Sequence, residues 1–248
     1  INFTNLADGL YYFNVTVNDT AGNVNNSETR QVLIDTNLPT ALQFNTSSDI
    51  NDSRLARNFT SINITFVENN TDTVLIRLVN TSDNIIINTS YSSGIAGANN
   101  GSYFINFTNL NDGRYVINAT VNDTAGNVNY TINRFILIDT NLPASITFAS
   151  NTQANNSRLS RTNFSVNITF TENNTDTVLI RLLNASNANL SYVVLPTGAN
   201  NGSYTINFTS LADGLYYFNV TVNDTAGNVN NSETRQVLID TNLPTALQ

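Results

Sequence analysis

The chain has 248 residues and a formal net charge of −8 at pH 7, and it contains no Cys, Met, Trp, His or Lys, so its ten basic residues are all Arg. Disulfides, thiol chemistry and metal sites built on His or Cys are therefore excluded. An acidic chain with no basic cluster also has no surface for nucleic acid or for an anionic membrane, and no apolar run is long enough for membrane insertion.

From the N-terminus, Asp8–Asn25 reads DGLYYFNVTVNDTAGNVN and returns from Asp112 and from Asp213. Each copy is an Asp-Gly entry turn, an alternating strand, a Gly-containing reversal and a return strand, which together read as a β-hairpin. Phe13, Val15 and Val17 share one face and Asn14, Thr16 and Asn18 the other, the period of a strand with one side in a core. After DTNLP, strands are expected at Ala41–Phe44, Phe59–Phe66 with Ile62, Ile64 and Phe66 inward, Thr73–Asn80, Ile85–Thr89, Ser102–Thr108, Arg114–Asn122 and Val128–Ile138. Such a series predicts an all-β fold, a β-sandwich of about seven strands in each unit, without disulfides.

Each repeat is about one hundred residues, a normal size for a domain with its own core. The expected division is 1–38, the C-terminal part of one domain; 39–142 and 143–243, two complete domains; and 244–248, the start of the next. Residues 1–43 equal 206–248 except that Asn5 is replaced by Ser210, whereas the copy at 105–147 diverges more. The period is thus two domains, and the sequence reads as a window of a longer array.

The Asp-Gly-x-Tyr motifs at Tyr11, Tyr115 and Tyr216 resemble the tyrosine corner of immunoglobulin-type sandwiches, with Phe13, Ile117 and Phe218 where a disulfide-bonded domain carries Cys. The order NNGSYFINFTNLNDGRYVINATVNDTAGN followed by ILIDTNLP resembles the bacterial and archaeal immunoglobulin-like repeats of giant surface proteins, filaments and adhesins. That resemblance implies tandem immunoglobulin-like β-sandwich domains in a modular cell-surface context, with DTNLP as the joint between successive domains and calcium bound at such joints.

Asn accounts for 47 of the residues, and 27 of these head Asn-x-Ser/Thr triplets. They are Asn2, Asn14, Asn18, Asn25, Asn45, Asn51, Asn58, Asn63 and Asn69; Asn80, Asn88, Asn100, Asn106, Asn118, Asn122, Asn129, Asn155 and Asn163; and Asn167, Asn173, Asn184, Asn189, Asn201, Asn207, Asn219, Asn223 and Asn230. A polar strand face rich in Asn and Thr produces such triplets by itself. Asn, however, costs up to about 1 kcal/mol in a strand relative to good β formers, so a covalent N-linked glycan on the triplet is the expected gain. Glycans would also shield edge strands from pairing with neighbours. Where outward apolar residues lack sugar, as at Leu33 or at Leu75, Arg77 and Val79, lateral packing of arrays competes with ordinary edge packing.

The acids recur as Glu68 with Asp72 and Glu172 with Asp176, in the reversals as Asp19, Asp123 and Asp224, and at the joints as Asp35, Asp139 and Asp240. A carboxylate pair could serve a glycosidase. The same set in every unit, without His, Lys or Cys, points to structure instead, and no enzyme activity is expected. Calcium would take carboxylate and amide oxygens of Asp35, Glu68, Asp72, Asp139, Glu172 and Asp176; metal-free Asx turns account for the same residues. No cofactor is otherwise required.

The expected function is a structural segment of a long, N-glycosylated extracellular filament, stalk or surface coat whose partners are copies of itself, end to end and laterally. The alternatives are the spacer of a cell-surface adhesin that binds elsewhere, and a carbohydrate-binding appendage, the latter disfavoured by the absence of Trp.

Overall fold

The computed structural model describes residues 1–81, 86–92, 101–186, 188–195 and 202–245. They form two compact units, residues 1–53 with 59–136, and residues 54–58 with 137–248. The first residues supply β1 (Gly9–Phe13), β2 (Thr16–Asn18), β3 (Val24–Asn26) and β4 (Arg30–Ile34), with β1 pairing β4 and β2 pairing β3. Next come β5 (Thr40–Phe44), β6 (Ser53–Leu55), β7 (Thr60–Val67), β8 (Thr71–Asn80), β9 (Ile86–Ser92), β10 (Gly101–Phe107), β11 (Gly113–Asp123), β12 (Val128–Tyr130) and β13 (Arg134–Ile138). The series then repeats as β14 (Ala144–Phe148), β15 (Ser157–Leu159), β16 (Phe164–Thr171), β17 (Thr175–Asn184), β18 (Asn189–Leu195), β19 (Gly202–Phe208), β20 (Gly214–Asp224), β21 (Val229–Asn231) and β22 (Arg235–Ile239).

In the second series a three-stranded sheet, β14-β16-β19, faces a larger one in the order β15-β22-β20-β17-β18, with β21 hydrogen-bonded to β20. The first series has the same two orders. Alternation makes the core. Along β7, Thr60, Ile62, Ile64 and Phe66 are buried while Ser61, Asn63 and Thr65 are half-buried. In the second sandwich Phe164, Val166, Ile168 and Phe170 of the small sheet meet Val178, Ile180, Leu182, Phe218, Val220 and Val222 of the large one. Each such side chain contributes about 1.5–3 kcal/mol by leaving water. Phe218 is held between Phe148, edge-on at 5.2 Å, and Phe164 at 5.4 Å.

Two features depart from the sequence reading. Short strands β6 and β15 have no counterpart among the expected strands; β15 runs parallel to β22, Ser157 opposite Val237 and Leu159 opposite Ile239. Three residues are too few to show a period. Further, the single return strand expected at Val128–Ile138 is two strands, β12 and β13. The break comes where a hydroxyl takes over the ladder: Ala119 N–H donates to Thr131 Oγ1 at 2.9 Å, and Thr131 N–H donates to the Ala119 carbonyl at 2.9 Å.

Local devices fix the corners. Tyr11, Tyr115 and Tyr216 donate their hydroxyls to the carbonyls of Ala7, Asn111 and Ala212 at 2.9, 2.9 and 2.8 Å, the geometry of a tyrosine corner. At the reversals Gly22, Gly126 and Gly227 have φ of 90°, 95° and 96°, a region that costs a residue with a Cβ about 1–2 kcal/mol.

Candidate functional site at the Asp-Thr-Asn-Leu-Pro joints

The segment from Asp35 to Pro39 has little backbone pairing of its own, and side chains hold it from both sides. Upstream, the Asp8 carboxylate accepts from Thr36 N–H at 3.2 Å, Thr36 Oγ1 at 3.0 Å and Asn37 Nδ2 at 2.6 Å. Downstream, Asn127 Nδ2 donates to the Asp35 carbonyl at 3.0 Å, Asn129 Nδ2 to the Pro39 carbonyl at 2.8 Å and Asn70 Nδ2 to Asp35 Oδ2 at 2.9 Å. Pro39 itself is buried. The next joint repeats the downstream half: Asn228 donates to the Asp139 carbonyl, Asn230 to the Pro143 carbonyl and Asn174 to Asp139 Oδ2, at 2.8, 2.8 and 2.7 Å. Neutral amides bonded to main-chain oxygens do not weaken with salt as exposed ion pairs do.

Asn127 and Asn228 are placed by the reversal. Asp123 Oδ1 accepts from the N–H groups of Ala125 and Asn127 at 2.9 and 2.8 Å, and its Oδ2 accepts from Asn127 Nδ2 at 2.8 Å. Asp224 repeats the pattern with Ala226 and Asn228, and Asp19 repeats it with Ala21 and Asn23. Asp19 is exposed and still forms the cap, so the turn is a property of the local sequence. Hydrogen bonds from the Asn23 side chain and backbone hold the Asp19 carboxyl below its ordinary value of 3.8.

Asp35, Glu68 and Asp123 each bring a carboxylate oxygen within 4.8 Å of the others, and no second group of three does so among the described residues. Glu68 and Asp123 are buried and Asp35 is half-buried. Asp72 stands apart, with Oδ2 accepting from Thr73 Oγ1 and Asn122 Nδ2 at 3.1 and 3.3 Å. Asp139 and Glu172 keep the hydrogen bonds of Asp35 and Glu68, and Asp176 accepts from Thr177 Oγ1 at 2.9 Å. Nearness in the chain pairs Asp72 with Glu68, but the fold does not bring them together in this group. Asp123 occupies that place because the reversal folds onto the Glu68 loop, where Thr124 N–H donates to the Asn70 carbonyl at 2.9 Å.

Among the triplet asparagines, Asn2, Asn14, Asn18, Asn25, Asn51, Asn58, Asn69, Asn106, Asn155, Asn163, Asn173, Asn189 and Asn207 are exposed. Asn45, Asn63, Asn118, Asn122, Asn129, Asn184, Asn219, Asn223 and Asn230 are half-buried. Asn80 and Asn167 are buried, 4% and 8% exposed. Asn167 points outward by parity, but the loop after β14 covers it: Asn167 Nδ2 donates to Asn151 Oδ1 at 2.8 Å, and Ser203 Oγ donates to Asn167 Oδ1 at 2.6 Å. Asn100, Asn201 and the side chain of Asn88 lie outside the described residues, as do 246–248. Leu75, Arg77 and Val79 are half-buried and Leu33 is exposed.

No helix among the described residues is long and apolar enough to cross a membrane. A comparison with curated protein sequences returned no match. Among solved structures, the chain is similar to the FN1–FN3 domains of chicken CNTN1 (14% identity, 92% of this chain and 77% of that one, TM-score 0.40). It is similar to a tetra-tandem repeat in the extending region of a large adhesion protein (21% identity, 97% and 59%, TM-score 0.36). A third similar structure comes from a 1.5-MDa bacterial ice-binding adhesin (15% identity, 83% and 67%, TM-score 0.38). Two family models, both described as bacterial Ig-like domain, match residues 145–241 and residues 4–36 with 71–140. Between them the matches take in most of the chain, which belongs to the bacterial Ig-like domains and carries them in tandem.

Proposed function

We propose that the chain is a spacer-forming segment of a long, N-glycosylated extracellular filament, stalk or coat, in which domains of about one hundred residues succeed one another through fastened joints. At the coarser level it is a repeated, non-catalytic structural or adhesion module of a cell-surface protein. The observation that carries the finer reading is the double hold on Asp35–Pro39, by Asp8 from one side and by Asn70, Asn127 and Asn129 from the other. A segment held at both ends has no slack, and in a tandem array the joints set stiffness. The division into domains at 39–142 and 143–243 belongs to this proposal. Small-angle scattering of the chain tests it: one narrow distribution of end-to-end distances is expected, broadening in Asn228→Ala with Asn230→Ala. A broad distribution in the unaltered chain would overturn it.

Glycosylation is supported by the count of acceptor triplets and by the many that are exposed. Calcium is supported by the Asp35, Glu68 and Asp123 group, whose three anionic oxygens suit a hard cation that takes oxygen ligands. Such an ion would offset repulsion among the carboxylates and tie the joint to the reversal. Because Asp19 is capped the same way in an exposed turn, the ion would add to a joint already held by amides. Thermal unfolding in calcium and then in excess chelator should differ, and Asp123→Asn should remove the difference; identical curves for the unaltered chain would dismiss the ion.

A further inference from the structure

Among the Asn-x-Ser/Thr triplets of each repeat are two whose atoms are used in opposite ways. In the return strand of the hairpin, Asn129-Tyr130-Thr131 and Asn230-Asn231-Ser232 are taken up by the fold. Asn129 and Asn230 donate their side-chain nitrogens to the carbonyls of Pro39 and Pro143, both at 2.8 Å. Their Oδ1 atoms accept from the N–H groups of Tyr130 and Asn231, both at 2.8 Å. The third residue is equally committed: Thr131 Oγ1 and Ser232 Oγ accept the ladder N–H groups of Ala119 and Val220, both at 2.9 Å. The fold alone therefore accounts for Asn and for Ser/Thr at these positions.

At the ends of β10 and β19 the opposite holds. Phe107 and Phe208 are anchored in the cores, 4% and 6% exposed, so strand alternation turns Asn106 and Asn207 outward. Asn106, Thr108, Asn207 and Thr209 are all exposed. Among the described residues, the side-chain nitrogens of Asn106 and Asn207 donate to no protein group; Asn207 Oδ1 accepts from Ser165 Oγ at 2.6 Å. The strand ends at the Phe, and the chain turns sharply just beyond the triplet, with φ of 57° at both Asn109 and Ser210. Such a turn presents the triplet at an accessible surface.

Resting on the glycosylated-surface reading, we infer that Asn106 and Asn207 are N-glycan acceptors of their repeats, and that Asn129 and Asn230 are withheld from modification as structural staples. The donor is an activated sugar phosphate. The amide nitrogen attacks its anomeric carbon, an N–C1 bond forms, the C1–O bond to phosphate breaks with its electron pair leaving on the phosphate, and one amide proton passes to solvent. At Asn129 or Asn230 the same product would place a sugar on a half-buried nitrogen bonded to a proline carbonyl.

Site-resolved glycopeptide mass spectrometry of the native chain is the first arm of the test. Occupancy at Asn106 and Asn207 should exceed that at Asn129 and Asn230 by at least about tenfold, the ratio for about 1.4 kcal/mol of discrimination. Equal occupancy, or sugar elsewhere with Asn106 and Asn207 bare, overturns the inference while leaving the glycosylated reading standing. A chain bare at every triplet overturns both. The second arm uses unglycosylated chain made recombinantly: Asn129→Asp and Asn230→Asp should each lower the unfolding temperature by about 4 °C or more, while Asn106→Asp and Asn207→Asp should leave it unchanged. Equal responses of the two pairs would remove the staple.

Discussion

Residues 1–38 and 206–243 have the same sequence apart from Asn5 and Ser210, yet they fold in different company. In both copies the first strand pairs with the last in one register, Gly9 opposite Ile34 and Gly214 opposite Ile239. Both keep the tyrosine hydroxyl bond and the Asp-capped reversal. The apolar face differs: Phe13, Val15 and Val17 are 44%, 59% and 64% exposed, whereas Phe218, Val220 and Val222 are 0% exposed. The long strand differs as well, being broken into β1 and β2 in one copy and continuous as β20 in the other. Local sequence thus specifies turns, caps and register, while β17, lying along β20 from Thr175 to Asn184, supplies strand continuity and burial.

The core should break this comparison most visibly. Phe218→Ala removes the ring held between Phe148 and Phe164 and should cost about 3–5 kcal/mol. Phe13→Ala, the same change at a ring that is 44% exposed, should cost only about 1–1.5 kcal/mol. Denaturant unfolding read by hydrogen exchange in each copy would separate the two. Equal losses would mean that Phe13 is covered in solution by something that restores its burial.

Next in size is the joint. Asn228 is buried and donates both to the Asp139 carbonyl and to Asp224 Oδ2, so Asn228→Ala leaves two acceptors without that donor and should cost about 2 kcal/mol. Asn23→Ala removes only the bond to Asp19 at the surface, where water replaces the lost donor, and should cost clearly less than Asn228→Ala. The reversal glycines sharpen the comparison in the other direction. Gly22 and Gly227 have the same conformation, and an added Cβ would meet nothing within 4 Å at either. Gly22→Ala and Gly227→Ala should therefore cost the same, about 1–2 kcal/mol of backbone strain; a clear inequality would show that the turn is shaped by its surroundings.

The contrast between copies also explains what was legible in the sequence. Alternation at Ile62, Ile64 and Phe66 gave a buried face, because a strand's period is fixed by its own backbone. The Asp-Gly-x-Tyr corner and the NDTAGN turn could be read for the same reason, since their partners lie four residues apart or fewer. The harder features rest on long-range partners. Asn127 and Asn129 reach carbonyls 92 and 90 residues upstream, and Asp123 joins Asp35 and Glu68 only once the sandwich has closed. Asn167 obeys strand parity and is nonetheless covered by a loop whose path parity does not describe. One signal was available: the Asn four residues after the reversal Asp recurs in all three copies without being part of any Asn-x-Ser/Thr triplet, which marks it for a structural role.

The smallest expected effect lies in the titration of Asp19. Its carboxylate accepts from the Asn23 side chain, from Asn23 N–H and from Ala21 N–H, bonds that favour the charged form and hold its pKa below 3.8, the Asn23 side chain contributing most. A carboxyl depressed on folding stabilises the turn above its unfolded value, and that contribution is lost as pH falls through the folded value. The reversal at Asp19 should therefore loosen only from about pH 4 downward, where the unfolded carboxyl begins to take up a proton. Carbon-detected NMR of the side-chain carboxyl would follow it. Asn23→Ala should move the midpoint back up toward 3.8; a midpoint at or above that value in the unaltered chain would mean that the exposed hairpin does not hold its cap in solution, and that the turn in the second copy depends on the sandwich around it.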